Sequence, residues 1–343
     1  MYKWEMQKKI ALLIILIGGM VLCGGEGRSE TAVRDSSVIE ISRHVWYDEF
    51  AEAIAASKII RDAEPENPLG YFLLGTIYQS LSEEYRIDVY KERISENLDL
   101  AIDIANHRRD KEPKNPNWSF IAGAAHGYRA LHRAFHGGWW GAFRDGLNAG
   151  KHLERTLEFD STYYDAYLGL GAYDYYKTIK AKDFLWLPFV SDKREEGIEK
   201  IRIAIDKGTL ASFNARQSLL RIYWEEGRHE EAIALADSLF EESPENTYCL
   251  YYSICAQLDS NMLDKASENI GKLRLNWKKS GYYDPLGTME ADYLEAQMHY
   301  KKGEKDKAEI LVDKILLKKE FHKSNGYFAE TVEKTQNLAD KIK

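Results

Sequence analysis

The segment richest in side chains that could do chemistry runs from His126 to Trp140 and reads HGYRALHRAFHGGWW. His132 and His136 are four residues apart, so a helix would place both imidazoles on one face. Such a pair can hold a metal ion when a third ligand, usually a carboxylate, converges on it. The glutamate that follows the first histidine in a metalloprotease helix is missing. Two interpretations remain: a metal-dependent enzyme, or an amphipathic helix with partly exposed histidines that ends at the glycine pair.

Aromatic residues cluster in and after this segment. Trp139 and Trp140 are expected to pack on the next helix, with stacking on a ligand as the alternative. Six tyrosines fall between residues 163 and 176. Exposed tyrosines on a groove wall bind peptides well, and packing between long helices explains them equally well. The apolar segment 184–190, FLWLPFV, is expected to be buried under neighbouring helices rather than exposed to a membrane or partner.

Other catalytic patterns are missing from the sequence: it holds no phosphate-binding glycine loop, dinucleotide fingerprint or nucleophile elbow. Cys249 and Cys255 are six residues apart in a predicted helix. That spacing corresponds to about 9 Å of helical rise, too far for a disulfide, so we predict two small buried hydrophobes. The sequence therefore predicts no catalytic residue, no metal and no cofactor.

Length, composition and charge limit the classes of partner. The chain has 343 residues, 12% aromatic residues and a formal net charge of −8. A mildly acidic surface argues against non-specific nucleic-acid binding, which needs a basic face. It also argues against flat electrostatic docking on anionic lipid. We therefore expect no nucleic acid among the partners.

The N-terminus has the pattern of an export signal. Lys8 and Lys9 precede an apolar run that extends from Ile10 to Cys23, and two glycines follow. This run is too short to span a bilayer comfortably, whereas a charged start and a small-residue end are typical of a secretory signal. We predict that residues 1–25 are a signal peptide cleaved after Gly25, or a lipoprotein-type signal with Cys23 as the lipidation candidate. Membrane association would then be through the N-terminus.

The N-terminal half of the chain repeats with a period of 48 residues. The sequences AEPENP at 63–68 and KEPKNP at 111–116 match as helix stops and restarts. After residue 197 the spacing shortens, with Ala232 after 35 residues and Ala266 after a further 34. The positions that recur at the longer period are Ala53, Ala101, Ala149 and Gly197; Gly75, Gly123 and Gly171; and Pro65, Pro113 and Ser161.

The unit at residues 215–246, ARQSLLRIYWEEGRHEEAIALADSLFEESPEN, predicts two short amphipathic helices. Tyr223 fills the gap between the helices, Gly227 makes the turn, and Ala232 allows close approach. Pro244 then ends the second helix. This spacing resembles a tetratricopeptide repeat, and the resemblance covers most of residues 38–320. It implies an all-α, right-handed α-solenoid of about seven antiparallel helix pairs, with longer helices in the N-terminal half.

The predicted organisation is a signal at 1–25, a flexible tether at 26–37, the repeat array at 38–320 and a capping helix at 321–343. The resemblance implies a non-catalytic scaffold that binds a protein or peptide, and the N-terminus places it at the cell envelope, either periplasmic or membrane-anchored. One alternative is an accessory solute-binding or transport component with a pocket lined by the aromatics of 118–186. The other is the metal-dependent enzyme that uses His132 and His136. If the first helix of each pair lines a concave groove, position alone gives the candidate contacts Phe72, Asn117, Phe120, Asp165, Tyr175, Asn214, Arg221 and Trp224.

Overall fold

The computed structural model describes residues 30–181, 191–209, 211–323 and 325–343. Within these ranges the chain forms fifteen α-helices and one 3-10 turn, and no strand. The same ranges contain no helix with the length and apolar character needed to cross a membrane. The signal predicted at 1–25, with Cys23, and the apolar segment 184–190 lie outside the described residues.

The helices follow one another along the chain, with a 3-10 turn at Lys319–Lys323 before the last. Their bounds are α1 Glu30–Trp46, α2 Phe50–Ala63, α3 Pro68–Tyr85, α4 Lys91–Lys111, α5 Pro116–Phe135, α6 Trp139–Phe159, α7 Ala166–Ala181, α8 Arg194–Lys207, α9 Ser212–Glu225, α10 His229–Glu242, α11 Thr247–Asp259, α12 Leu263–Lys279, α13 Met289–Lys301, α14 Lys305–Leu316 and α15 Gly326–Ile342.

The first fourteen helices form seven consecutive pairs, which confirms the predicted all-α array of helix pairs. A left-handed residue ends the first helix of a pair and lets the chain reverse direction. Six pairs have one such residue in their turn, with φ between 56° and 82°. The turn between α7 and α8 includes residues outside the description. The six residues are Asp48, Arg86, Gly137, Gly227, Asn261 and Gly303.

The first helix corrects one boundary. Residues 30–37 lie in α1, whereas the sequence assigned 26–37 to a flexible tether. A stretch of polar residues has no strong periodicity, but it contains no proline, so nothing local prevents a helix from extending through it. At the other end of the chain, α15 occupies the predicted capping position, and the Asn325 side chain accepts hydrogen bonds from the amides of Tyr327 and Phe328.

The 48-residue period comes from longer helices. Helices α4, α5 and α6 have 21, 20 and 21 residues. The helices of the shorter central unit, α9 and α10, have 14 each. The proline-containing boundaries stop and restart helices as predicted: α5 begins at Pro116, and the side chain of Asn115 accepts a hydrogen bond from the amide of Asn117.

The glycines that recur in the first helices lie where the two helices of a pair approach most closely. At Gly75 and Gly123, an added Cβ would lie 2.8 Å and 2.9 Å from a leucine side chain of the second helix. At Gly171 it would lie 2.5 Å from the carbonyl oxygen of Gly197. The periodic glycines therefore set the spacing within pairs, because any side chain would force the helices apart.

The described chain forms two compact units. The first contains residues up to 79 and 91–219, and therefore α1, α2, most of α3, α4 to α8 and the start of α9. The second contains 80–90 and 220–343, and therefore the end of α3, the rest of α9 and α10 to α15. In the second unit, Ala296, Val312 and Leu338 join α13, α14 and α15 in one hydrophobic cluster.

The two cysteines of α11 are buried and form no disulfide, which confirms their predicted role as small core residues. Burial raises the pKa of the Cys255 thiol to about 12. Trp140 corrects another expectation, because its side chain is 88% exposed at the start of α6 rather than packed on the next helix.

Candidate functional site

Most of the eight predicted groove residues lie inside the helical packing. The ring of Phe72 packs edge-on against Tyr128, with ring centroids 6.2 Å apart. The Asp165 carboxylate accepts a 2.8 Å hydrogen bond from the amide of Ala211. The assumption that they face an open groove is therefore wrong for six buried residues: Phe72, Asn117, Phe120, Asp165, Tyr175 and Arg221. Two others are partly exposed, and binding there stays a prediction: Asn214 and Trp224.

The unusual segment of α5 instead contributes to a buried ionic network with α6. Asp145 of α6 is fully buried. Its carboxylate accepts hydrogen bonds of 2.7 Å from both Arg129 and Arg133, and it lies 2.9 Å from Nδ1 of His126. Arg129 also donates a 2.6 Å hydrogen bond to Asp99 of α4. One buried carboxylate and its cationic partners thus fix α4, α5 and α6 to one another.

The protonation states follow from these contacts. Burial alone would raise the pKa of Asp145, but hydrogen bonds from His126 and Arg129, together with the charges of Arg129 and Arg133, lower it below its usual value. Burial would likewise lower the pKa of Arg129, and its hydrogen bonds to Asp145 and Asp99 raise it instead. Asp145 and Arg129 are therefore both charged at neutral pH and form a partly buried ion pair.

The two histidines proposed as metal ligands lie in contact at the end of α5. The ring centroids of His132 and His136 are 4.5 Å apart, with the rings edge to face. Burial, followed by the neighbouring His136 and Arg133, lowers the pKa of His132 to about 3. Across the described ranges, no group of three or more His, Cys, Asp or Glu side chains is placed to hold a metal ion.

A cleft of about 1020 Å³ opens between α4 and α6, with His126 of α5 among its lining residues. These are the second helices of two consecutive pairs, whereas the sequence placed binding on first helices. The floor is formed by buried or half-buried residues, and the rim by exposed ones. The floor residues are Ile102, Asn106, Arg109, His126, Asn148, His152 and Arg155. The rim residues are Asp110, Pro113, Lys151, Glu154 and Glu158.

The floor of the cleft is polar and carries positive charge. The rings of His126 and His152 are stacked, with centroids 5.6 Å apart and an interplanar angle of 13°. A guanidinium nitrogen of Arg109 lies 3.2 Å from Nδ1 of His152. Burial, followed by the charges of His126, Arg109, Lys151 and Arg155, lowers the pKa of His152 to about 4. His152 is therefore neutral at neutral pH.

Two buried polar atoms of the lining residues have no hydrogen-bond partner, the Nε of Arg155 and the Oδ1 of Asn106. One is a donor and the other an acceptor. Buried polar groups are nearly always paired in folded proteins, so unpaired atoms beside a cleft mark a place where a ligand could supply the missing partner.

The second unit has a buried ionic cluster of its own, centred on Glu290 of α13. Its carboxylate accepts hydrogen bonds from Tyr251 at 2.7 Å, Thr331 at 2.5 Å and Lys334 at 3.0 Å. Burial would raise the pKa of Glu290, but the charges of Lys334 and Arg86 lower it below its usual value. Thr331 and Lys334 belong to α15, so this cluster attaches the capping helix to α11 and α13.

Sequence reasoning missed Asp145 and His152, although it singled out the segment that contacts them. The sequence of α6 nevertheless contained a pattern that indicates burial of Asp145. Ala142, Asp145, Ala149 and Leu153 follow one another at spacings of three or four, so the acid stands on the apolar face of the helix. An ionisable residue at such a position indicates a buried partner of opposite charge.

The consecutive helix pairs define the class of the chain: it is an all-α helical-repeat protein. Among solved structures, it is similar to a tetratricopeptide repeat protein from Parabacteroides merdae ATCC 43184. The two share 16% identity and a TM-score of 0.42, over 88% of this chain and 98% of that one. No protein-family model matches the sequence, and no curated protein matches it. The repeat interpretation therefore rests on the helix pairs and residue spacing of this chain.

Proposed function

We propose that this protein is a non-catalytic scaffold of the cell envelope that binds a polypeptide in the cleft between α4 and α6. The observation that carries the proposal is the cleft itself. Its volume of about 1020 Å³ lies at the upper end of the range of ordinary ligand sites.

The chemistry of the lining favours a polypeptide. Each peptide group offers one N–H donor and one carbonyl acceptor. Of the residues that line the cleft, Arg155 has a buried donor without a partner and Asn106 a buried acceptor without one. An unsatisfied buried polar group costs about 1–3 kcal/mol, so a ligand that pairs both atoms gains affinity by removing that cost. The rim carries both positive and negative side chains, which suits a polypeptide that contains both kinds of charged residue.

The solute-binding alternative requires a pocket lined by aromatic side chains. Of the twelve residues that line this cleft, none is Phe, Tyr or Trp. The metal-dependent alternative requires a third ligand near His132 and His136, and the described residues place no such group there. Polypeptide binding is therefore the function that the site supports best.

The envelope location is proposed from the N-terminal sequence pattern. Fractionation of cells that express the full chain tests it. We expect the protein in the periplasmic or membrane fraction, and a protein that stays entirely in the cytoplasm would contradict this part of the proposal.

The cleft is tested with peptides selected from a displayed library of 15-residue sequences against the full-length protein. Binding of a selected peptide is then measured for three proteins: native, Asn148→Trp and Asn214→Trp. Asn148 is a half-buried residue that lines the cleft, so an indole there would occupy the binding space. Asn214 is a partly exposed residue of the first-helix surface predicted from the sequence. Circular dichroism checks that each variant folds.

We expect Asn148→Trp to weaken binding about 10-fold or more, which corresponds to about 1.4 kcal/mol, and Asn214→Trp to leave it unchanged. Loss of binding in Asn214→Trp alone would move the site to the first-helix surface. Equal binding by all three proteins, or no selected peptide at all, would refute the cleft as a polypeptide site.

A further inference from the structure

We infer that the floor of this cleft holds an acidic side chain of the bound polypeptide, with its carboxylate against the guanidinium groups of Arg109 and Arg155 and the imidazole of His152. This inference rests on the proposed function and names the chemical group that the site recognises. A carboxylate is the ligand that guanidinium groups pair with most favourably among protein side chains.

Arg155 provides the first reason. Its guanidinium donates a 3.2 Å hydrogen bond to the carbonyl of Pro113, and its Nε is buried without a partner. No carboxylate pairs with Arg155 in the part of the chain that the structure describes. The guanidinium also lies over the Phe159 ring, 5.4 Å from its centroid, but neither contact neutralises its charge, and a bound anion would do so.

Arg109 provides the second reason. One of its terminal nitrogens lies 3.2 Å from Nδ1 of His152. The other donates a long hydrogen bond of 3.4 Å to the exposed carboxylate of Asp110 on the rim. A guanidinium has five N–H donors, so both arginines keep donors for a ligand. Among the residues that line the cleft, the acidic side chains are exposed and screened by solvent, whereas Arg109 and Arg155 are half-buried.

The charged groups around His152 indicate the sign of the electrostatic potential at the floor of the cleft. Three elements face this imidazole with titratable or charged groups. The groups that line the cleft around it are Arg109 and Asp110 of α4, His126 of α5, and Lys151, Glu154, Arg155 and Glu158 of α6. Burial lowers the pKa of His152 most, and the charges of His126, Arg109, Lys151 and Arg155 lower it as well, so that it reaches about 4. The floor is therefore at positive potential, and a bound carboxylate would reverse that effect and raise the pKa of His152.

Binding of an acidic side chain is consequently coupled to proton uptake. Below neutral pH the bound carboxylate favours the imidazolium form of His152, which adds a third cation to the site. Affinity for an acidic peptide should therefore rise as the pH falls from 7 toward 5, while the ligand carboxylate itself is still ionised.

The test uses three probes on the full-length protein: the capped pentapeptide Gly-Ala-Glu-Ala-Gly, its Gln counterpart, and inorganic phosphate alone. Binding and the titration of His152 are followed together by NMR of the histidine side chains. Arg155→Met removes the half-buried cation of the cleft, and Arg144→Met removes an exposed arginine of the same helix as a matched control. If Arg155→Met is unfolded by circular dichroism, Arg155→Lys replaces it and should retain only part of the affinity, because an ammonium lacks the planar donor pair.

We expect the Glu peptide to bind about 10-fold or more tightly than the Gln peptide and to raise the pKa of His152 toward its ordinary value. Arg155→Met should remove this preference, and Arg144→Met should keep it. Equal binding of the two peptides, or a preference that survives Arg155→Met, would overturn the inference. Phosphate that raises the pKa of His152 where the Glu peptide does not would overturn the assignment to an acidic side chain.

The failure of this inference differs from the failure of polypeptide binding. Library peptides that bind the native protein, depend on Asn148 and show no acidic preference would leave the proposed function standing and refute only the carboxylate. An absence of any cleft-dependent peptide would refute both.

Discussion

Removal of the Asp145 carboxylate should destabilise the three helices that build the cleft. Asp145→Asn keeps the shape of the side chain and removes the charge that Arg129, Arg133 and His126 share. The new amide would place donor hydrogens toward donors of the two guanidinium groups. The structure therefore predicts an uncompensated positive cluster between α5 and α6.

The magnitude follows from the burial of the network. Loss of one partner from a buried ion pair costs about 3–5 kcal/mol. Two features favour the lower end of this energy range. Arg129 keeps Asp99 as a partner, and the Arg133 side chain is 29% exposed. We therefore expect a loss of about 3 kcal/mol in the first unit. Since about 1.4 kcal/mol is a factor of ten, this corresponds to amide exchange about 100-fold faster where exchange requires opening of these helices.

The assay is hydrogen exchange followed by mass spectrometry on peptides from α5 and α6. A local probe is needed because the chain has two compact units, and one global midpoint would average them. Asp264→Asn is the matched control, because the Asp264 side chain is 99% exposed and pairs with Lys302 at the surface. Exchange in Asp145→Asn that matches the native protein would refute the claim that this carboxylate holds the helices together.

The same variant predicts a change in acid sensitivity. The pKa of Asp145 is lowered in the folded protein, so its contribution is fully present above the unfolded value of about 3.9 and is lost as the pH falls through the folded value. The difference in stability between native and Asp145→Asn should therefore shrink below about pH 4. A difference that is constant down to pH 2 would contradict the ion-pair account.

Three further predictions concern single sites. The pKa of His152 is about 4 in the folded protein and about 6.5 in the unfolded chain. The free energy of unfolding of the native protein should therefore decrease as the pH falls from 6.5 to 4, and urea unfolding of His152→Gln should show a smaller decrease. Glu290→Gln should cost about 3–5 kcal/mol and speed exchange in α15, whereas the exposed Glu268→Gln should leave that exchange unchanged. Gly171→Ala should lower the melting temperature through a loss of about 1–3 kcal/mol, because its Cβ would lie 2.5 Å from a carbonyl oxygen. Gly271→Ala, with open space around it, should be neutral or stabilising by up to about 1 kcal/mol.

Each of these predictions has a clear contrary result. An identical pH profile for His152→Gln would show that His152 is not held neutral by burial and its cationic neighbours. Unchanged exchange in α15 of Glu290→Gln would show that the capping helix is held by its apolar face alone. Equal melting temperatures for the two glycine variants would contradict the close approach of α7 and α8.

The helix pairs could be predicted from the sequence because their signals are local. Proline-containing stops, turn glycines and apolar spacing act within a few residues of where they stand. The left-handed residue Arg86 carries no such signal, whereas Asp48 and Asn261 carry a weaker one than glycine, since Asp and Asn tolerate this conformation. The start of α1 was missed for a related reason, because polar residues leave the end of a helix undetermined.

The site was harder to predict because it depends on packing between pairs. Apolar spacing indicates which face of a helix is buried, but not how deeply each residue of that face lies. Phe72, Phe120 and Tyr175 were therefore predicted as contacts and lie in the core. Arg109 and His152 are separated by 43 residues and meet only because α4 and α6 are neighbours on the same side of consecutive pairs. No short-range pattern marks that meeting.

Hydrogen exchange of the full-length protein, measured with and without a library-selected peptide, shows whether a polypeptide binds between α4 and α6. We expect new protection concentrated in residues 102–113 and 148–158. Protection in Ser212–Glu225 with none in those two segments would place the peptide elsewhere and refute binding between α4 and α6.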